Sequence, residues 1–369
     1  MIFSPFIIII LMTPIVTNTT QALTLDPIPI PGNLIPIPGT GTPIVPNPPN
    51  LGTVPIAPPP VSLYSISQVK SGLVASDPLN NETKTQQELQ ANPGYWFYGG
   101  DAPAENAPYD FYKDTQGLHI GVQAPANGTW AGFYAVTPST NATLFHTVLT
   151  TPVRTISNDF YENGLYVQTT QPVVSYVTCV SVTSSAGTVW AVVSTVGNAN
   201  QSTQFNLLWV DSSSNQPLTR DCSIVTNGNN FLKVYLDGVM VYSSSTLNLN
   251  MPGPFNAFLE PQSSYPGQLL NGIYKDYYAA SDENIKVTNN PALASTVKLV
   301  DPSGTVLASG PVKSGTATLT IGQFHMPLGV YIKIYDSNNI QLASTSSPVN
   351  MFGGDVYTVS SLLGLGLGL

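Results

Sequence analysis

The sequence has few charged residues of either sign. Among 369 residues it carries 11 Lys plus Arg and 20 Asp plus Glu, which amounts to 8% of the chain and a formal net charge of −9. An ordinary soluble domain has about 25% charged residues. A nucleic-acid-binding surface needs clustered basic side chains, so this composition excludes nucleic acid as a partner. Charge-driven disorder is excluded as well, because 42% of the residues are hydrophobic.

Basic residues are absent from the start of the chain, where the first one is Lys70. Residues 1–16 form an apolar run that contains prolines and is shorter than the roughly 18 to 20 residues needed to span a bilayer. We therefore expect a secretory signal peptide over 1–22, although the usual basic start is missing. The alternative is a retained N-terminal anchor, which would give the chain its membrane contact. N-x-S/T sequons agree with export and predict glycosylation at Asn81, Asn127, Asn141 and Asn200.

Cysteine and histidine are both scarce. Cys179 and Cys222 give one possible pair, and in an exported protein we expect a disulfide, with two buried thiols as the alternative. The three histidines, His119, His146 and His325, are scattered and show no metal-binding spacing. The sequence therefore predicts no histidine metal site.

Proline is concentrated in one stretch near the N-terminus. Residues 26–60 include the repeat IPIPG at 28–32 and again at 35–39. Proline fixes φ and removes a backbone donor, so 23–62 is predicted to be an extended stalk without a core. Residues 63–90 are expected to form a spacer after it.

Helical periodicity is nearly absent after Gly94, where short apolar segments alternate with Asn, Gly, Ser and Pro turns. Residues 173–182 and 189–196 are apolar at both odd and even positions, as in strands covered on both faces. The segment LKVYLDGVMVY at 232–242 predicts a hairpin with Asp237 and Gly238 in its turn. An all-β protein with a large antiparallel β-sandwich follows.

The last part of the chain has short strand patterns about ten residues apart. This rhythm predicts a small immunoglobulin-like (Ig-like) sandwich over 291–358, followed by an apolar tail over 359–369.

The hairpin segment carries a resemblance to a known fold family. LKVYLDGVMVYSS resembles the late hairpin of laminin-G-like and concanavalin A-like sandwiches, and Asp282–Val287 is similar to their closing strand. The resemblance covers 91–288 and implies a concanavalin A-like sandwich there. A concanavalin A-like module followed by a C-terminal sandwich that ends in NMFGGDVY at 350–357 resembles exported surface proteins of archaea. No activity is implied by this resemblance.

Aromatic residues are densest early in the predicted sandwich. Sugars stack on exposed aromatic rings, so this cluster is a candidate carbohydrate site. The alternative is that its members fill the core. The candidate ligand-binding residues are Tyr95, Trp96, Tyr98, Tyr109 and Tyr112.

Acidic residues near the first and last predicted strands are candidate metal ligands. First and last strands are neighbours in this fold, so their carboxylates would converge on a structural Ca²⁺, which prefers six to eight oxygen ligands. The candidates are Asp101, Asp110, Asp114, Asp282 and Glu283.

Catalytic motifs are weak in this sequence. Glu260 lies in a predicted strand, whereas Asp159 and Glu162 form a close acid pair in a predicted turn. Gln168 paired with Glu260 is loosely similar to the Gln/Glu dyad of acid-acting glutamic peptidases. No second strand carboxylate pairs with Glu260, so we expect a secreted or cell-surface protein that binds carbohydrate or a surface protein and does no chemistry. An extracellular acid-acting hydrolase using Glu260, Gln168 and Asp159 is the alternative, and a purely structural surface protein is another.

Overall fold

The computed structural model describes residues 63–101, 107–169, 174–197, 203–211 and 216–362. The predicted signal or anchor, the stalk, Asn200 and positions 363–369 of the predicted tail lie outside these ranges. One short helix, α1 (Gln86–Ala91), is described, with Thr85 and Glu88 forming a capping box at its start. With six residues α1 is far too short to cross a membrane, and the described residues include no longer helix.

The described residues are otherwise strands, turns and loops, and the all-β prediction is confirmed. Alternating apolar and polar positions in most strands direct one face of each sheet into a core. In chain order the strands are β1 (Tyr64–Lys70), β2 (Leu73–Asp77), β3 (Phe97–Asp101), β4 (Tyr109–Asp114), β5 (Gly117–Val122), β6 (Ala131–Val136), β7 (Leu144–Thr150), β8 (Tyr161–Thr169), β9 (Ser175–Ser184), β10 (Gly187–Gly197), β11 (Thr203–Asp211), β12 (Thr219–Thr226), β13 (Leu232–Leu236), β14 (Val239–Ser244), β15 (Asn256–Ser263), β16 (Leu270–Ala280), β17 (Asn284–Thr288), β18 (Ala294–Val300), β19 (Val306–Pro311), β20 (Ala317–Thr320), β21 (Leu328–Asp336), β22 (Gln341–Ser344), β23 (Val349–Met351) and β24 (Val356–Ser361).

Two antiparallel sheets form the large sandwich. The front sheet has the strand order β11-β10-β9-β8-β15-β6-β3. The back sheet has the order β14-β13-β12-β7-β16-β5-β4, with β2 added beside β16. Leu165 and Leu259 of the front sheet share the buried core with Phe145 and Tyr274 of the back sheet. The predicted concanavalin A-like architecture is confirmed.

The two local signals in the large sandwich are also confirmed. The β13–β14 hairpin turns at Asp237 and Gly238, whose φ angles are 50° and 77°. Cys179 of β9 and Cys222 of β12 form a disulfide with a Cα–Cα distance of 6.6 Å. Because β9 lies in the front sheet and β12 in the back sheet, this bond joins the two layers covalently.

A second, smaller sandwich contains strands from both ends of the described chain. One sheet has the order β1-β24-β17-β20, and the other has β19-β18-β21-β22, with β23 beside β21. The chain thus forms a large sandwich followed by a small one, while the immunoglobulin-like assignment of the small one stays a prediction.

The strand membership differs from the predicted segment limits. β17, expected to close the large sandwich, pairs antiparallel with β20 and parallel with β24. Its residues Ile285 and Val287 are fully buried in the core of the small sandwich. The predicted spacer 63–90 contains β1, which pairs with β24, and β2, which pairs with β16. The first residues of the predicted tail likewise belong to β24.

The two sandwiches share an apolar contact and belong to one compact unit. Tyr235 and Tyr278 of the back sheet are buried among residues of the small sandwich. Beside them, Lys233 Nζ lies 2.6 Å from Glu283 Oε1, and the Tyr235 hydroxyl donates to Glu283 Oε2 at 2.9 Å. This ion pair is partly buried, and separating its partners would leave the buried Glu283 carboxylate unpaired.

Candidate active site on the front sheet

The outer face of the front sheet, turned away from the back sheet, carries two glutamates on neighbouring strands. In the antiparallel register of β8 and β15, Glu162 is opposite Gln262, and Glu260 is opposite Gly164. The two glutamates are therefore diagonal neighbours on one face, a relationship that places Cβ atoms about 7 to 8 Å apart or somewhat closer. We call this face, centred on Glu162 and Glu260, the acidic face.

Hydrogen bonds hold both carboxylates in place. The Gln262 amide donates to Glu260 Oε1 at 2.9 Å, and the Tyr166 hydroxyl donates to Glu162 Oε1 at 3.3 Å. Gly164 lies between Glu162 and Tyr166, where a Cβ would come within 2.8 Å of a Tyr166 ring carbon. Glycine at this position leaves room for the tyrosine ring.

The two glutamates lie in different environments. Burial raises the pKa of Glu162 to about 7, although the hydrogen bond from Tyr166 opposes this shift. Among the described residues, no Lys, Arg or His is within ion-pair distance of Glu162. The pKa of Tyr166 is raised by burial first and then by the charges of Glu162 and Glu260. Glu162 is thus a carboxyl group that keeps its proton up to neutral pH.

Aromatic rings flank the acidic pair. Tyr134 of β6 and Phe258 of β15 meet edge to face with ring centroids 5.1 Å apart. On the other side, Tyr166 of β8 and Tyr176 of β9 are 5.5 Å apart in a similar arrangement. Tyr134, Phe258 and Tyr176 are half-buried, so the rings are partly accessible from outside the sheet.

The predicted catalytic residues are only partly brought together. Gln168 is opposite Asn256, whereas Glu260 is opposite Gly164. Gln168 and Gly164 are four residues apart on β8, which is about 13 Å at 3.3 Å per residue. Asp159 lies in the turn before β8 and accepts a hydrogen bond from Ser264. The structure therefore places neither residue beside Glu260.

Glu162 is the residue that the sequence interpretation misplaced, because it lies in β8 and not in a turn. Glycine is unfavourable in a strand, and Asn163-Gly164 concealed the strand pattern. The alternation of buried Tyr161 and Leu165 with half-buried Glu162 is the signal that extends the strand back to this residue.

The predicted aromatic ligand-binding residues divide between core and surface. Trp96 is 1% exposed and belongs to the core, where its ring meets that of Tyr277. Tyr95 and Tyr98 are partly buried against the same core. The more exposed members are Tyr109, stacked on Phe133 at 4.3 Å, and Tyr112, stacked on His119 at 4.3 Å. They do not form one binding surface.

The predicted calcium ligands are spread over the large sandwich. Asp110 and Asp114 lie on β4 at one edge of the back sheet, and Asp114 is 3.0 Å from His119 Nε2. Glu283 pairs with Lys233 of β13, near the opposite edge, while Asp282 accepts bonds from Asn284. Asp101 ends β3 in the front sheet. One Ca²⁺ ion could bind all five residues only if they lay together, and the structure places them on different strands and sheets.

The described sequons lie at accessible positions. Asn81, Asn127 and Asn141 are all exposed. Their glycosylation stays a prediction.

No family model and no curated protein matches the sequence. Solved structures with a similar fold include LamAcat from Zobellia galactanivorans, with 12% identity and a TM-score of 0.39 over 56% of this chain and 97% of that one. β-Agarase A, solved with oligoagarose, has 9% identity and a TM-score of 0.42 over 58% and 93%. A GH16 protein from Bacteroides ovatus, solved with a product, has 9% identity and a TM-score of 0.40 over 56% and 100%.

The expectation of a non-enzymatic binding protein is wrong. Structures with this fold include a β-agarase and an endo-β-1,3(4)-glucanase from family GH16, and at these identities the likeness concerns the fold alone. The acidic face supplies the feature that the sequence interpretation found missing, namely a second strand carboxylate beside Glu260.

Proposed function

We propose that this protein is a glycoside hydrolase that cleaves polysaccharide outside the cell. The observation that carries this proposal is the pair Glu162 and Glu260 on one sheet face, with the pKa of Glu162 raised to about 7 by burial. Glycosidases use two carboxyl groups roughly 5 to 10 Å apart, one protonated and one ionised.

The environments of the two glutamates suggest their roles. Glu162 keeps its proton near neutral pH and would donate it to the oxygen of the leaving sugar. Glu260 accepts the amide hydrogen bond of Gln262, which holds its carboxyl group in place on the same face. It would act on the sugar as nucleophile or activate a water molecule, and Tyr166 would hold Glu162 in orientation.

The surrounding rings suit a sugar chain. Tyr134 and Phe258 on one side and Tyr176 on the other offer partly accessible aromatic surfaces for the C–H faces of sugar rings. Carbohydrate is therefore the proposed partner, bound across the strands of the acidic face.

An extracellular or cell-surface location fits the same proposal. The Cys179–Cys222 disulfide is typical of oxidising compartments. The exposed sequons and the resemblance to exported archaeal surface proteins agree with it.

The test is hydrolysis of a panel of polysaccharides, including laminarin, agarose and mixed-linkage glucan, followed by reducing-sugar release. We expect activity in the wild-type protein and a loss of at least about 100-fold in Glu162→Gln and in Glu260→Gln, in line with the usual contribution of an acid or base. Gln168→Ala, a matched change on the same face, should keep wild-type activity.

The variants must remain folded for this comparison, which thermal unfolding will establish. Activity that survives both glutamate substitutions would reject the assigned residues. Absence of hydrolysis on every polysaccharide, in a folded wild-type protein, would reject the glycosidase proposal itself.

A further inference from the structure

A second cluster of polar side chains lies where the back sheet meets the small sandwich. His146 of β7 and Asp221 of β12 come from the back sheet, and His325 comes from the loop between β20 and β21. One ligand atom from each of the three side chains lies within 4.8 Å of the others. The sequence separates these residues widely, which explains why their spacing gave no metal signal.

Asp221 lies between the two imidazole rings. His146 Nδ1 is 3.1 Å from Asp221 Oδ1, and His325 Nδ1 is 3.4 Å from Asp221 Oδ2. In a tetrahedral zinc site with bonds of 2.0 to 2.1 Å, neighbouring ligand atoms are about 3.3 Å apart. The two histidine–aspartate distances are close to this value, and the three ligand atoms as a set lie within 4.8 Å of one another.

The rings are held by contacts on their other sides. His146 is fully buried and stacks on Tyr278 at 4.4 Å, and its Nε2 has no hydrogen-bond partner among the described residues. Its polar contacts are thus made through Nδ1, with Asp221 and with Ser223 Oγ at 2.9 Å. The Tyr278 hydroxyl donates to Phe324 O at 3.3 Å, which anchors the loop that carries His325.

Asp276 lies on the far side of the third ligand. Its Oδ2 lies 3.9 Å from His325 Nε2, opposite the Nδ1 that faces Asp221. This distance is an ion-pair contact and is longer than a hydrogen bond, so Asp276 adds negative charge near the ring. Asp276 adopts a φ of 55° within the irregular part of β16, which brings it to this position.

We propose that His146 Nδ1, His325 Nδ1 and the Asp221 carboxylate bind one divalent transition-metal ion, with Zn²⁺ as the preferred ion and solvent completing the coordination. Two imidazoles and one carboxylate form a common zinc ligand set. In the described part of the chain, no Lys or Arg pairs with Asp221, and its side-chain partners are the two histidines. The ion would join the two sandwiches, independently of the acidic face.

Zinc titration of the metal-free full-length protein by calorimetry tests the site. We expect one Zn²⁺ per chain in the wild-type protein and an affinity reduced more than about 100-fold in His325→Ala, because even an outer partner of a ligand contributes about 10- to 100-fold. His325 is half exposed and on a loop, so its replacement should leave the fold intact.

The chain offers a matched control in His119, which also lies 3.0 Å from an aspartate but has no second histidine near it. His119→Ala should keep wild-type zinc affinity. Zn²⁺ should raise the melting temperature of the wild-type and His119→Ala proteins but not that of His325→Ala.

Two further readouts make the outcome decisive. Co²⁺ should give a visible absorption band in the wild-type protein that His325→Ala lacks, and Asp276→Asn should weaken zinc binding by less than His325→Ala does, because Asp276 only lies near the outer nitrogen of the ring. Zinc binding that is absent in the wild-type protein, or that is unchanged in both His325→Ala and Asp276→Asn, would overturn the proposal. Equal loss in His119→Ala would do so as well.

Discussion

The indole Nε1 of Trp96 donates a hydrogen bond to Asp77 Oδ2 at 2.9 Å, and Lys113 Nζ lies 3.0 Å from the same oxygen. Trp96 and Lys113 are both buried. The Asp77 carboxylate neutralises the charge of Lys113 and accepts the hydrogen bond of the Trp96 indole at the edge of the core. The residue with the most obvious sugar-binding chemistry in the sequence is thus a structural residue.

Replacing Trp96 should therefore affect stability rather than ligand binding. Trp96→Ala should lower the free energy of unfolding by about 3 to 5 kcal/mol, because it leaves a cavity and removes a donor to Asp77. The neighbouring Phe97 is 58% exposed, and Phe97→Ala should change stability by less than about 0.5 kcal/mol. Urea unfolding of the two variants measures the contrast, and similar effects would contradict the assignment of Trp96 to the core.

The disulfide between the two sheets should contribute substantially to stability. Cys179 and Cys222 are 43 residues apart in sequence, and opening such a loop should cost about 2 to 4 kcal/mol. Thermal unfolding with and without reducing agent measures this. The Cys179→Ala/Cys222→Ala double variant should match the reduced protein and be insensitive to reductant, and a wild-type protein equally stable when reduced would disagree.

The raised pKa of Glu162 makes stability depend on pH. The folded state binds this proton more tightly than the unfolded state, whose carboxyl titrates near the ordinary value of 4.5. The stabilisation is complete below pH 4.5 and is lost as the pH rises through about 7, by up to about 3 kcal/mol. Glu162→Gln should flatten this part of the stability profile in urea titrations, and an unchanged slope would contradict the assigned shift.

The proposed chemistry should follow the same titration. If Glu162 is the proton donor, the hydrolysis rate should fall as the pH rises above about 7. A pH–rate profile on any polysaccharide that the protein cleaves will show whether the alkaline limb lies there. A rate that keeps rising well past neutral pH would assign the acid to another group.

The small sandwich should not fold from its own sequence segment. Residues 291–362 lack β1 and β17, which flank β24 on both sides. The isolated segment should therefore give a disordered NMR spectrum, whereas 63–362 should give dispersed signals. A folded 291–362 fragment would show that neither flanking strand is required.

Local signals in the sequence predicted local structure well. The Asp237-Gly238 turn follows from the φ angles that a two-residue hairpin needs, and both residues adopt positive φ. The apolar character of β9 and β10 at both parities follows from their place inside the front sheet. The disulfide followed from the presence of exactly two cysteines.

Contacts set by distant strand pairing could not be predicted in the same way. The acidic pair depends on the register of β8 with β15, which are separated in sequence by six other strands and meet only in the folded sheet. β17 joins β24 in parallel, a pairing that no hairpin signal announces. His146 and His325 meet only because the small sandwich packs on the back sheet.

The pairing of β1 with β24 has a mechanical consequence. β1 is an edge strand, and its first residue, Tyr64, is opposite Ser361 at the end of β24. Tension applied at these two positions would pull the ends of neighbouring antiparallel strands apart, so it would open the ladder one residue pair at a time instead of shearing all pairs together. Such an edge yields at low force, and the large sandwich, closed by its disulfide, would bear load only after β1 had peeled away.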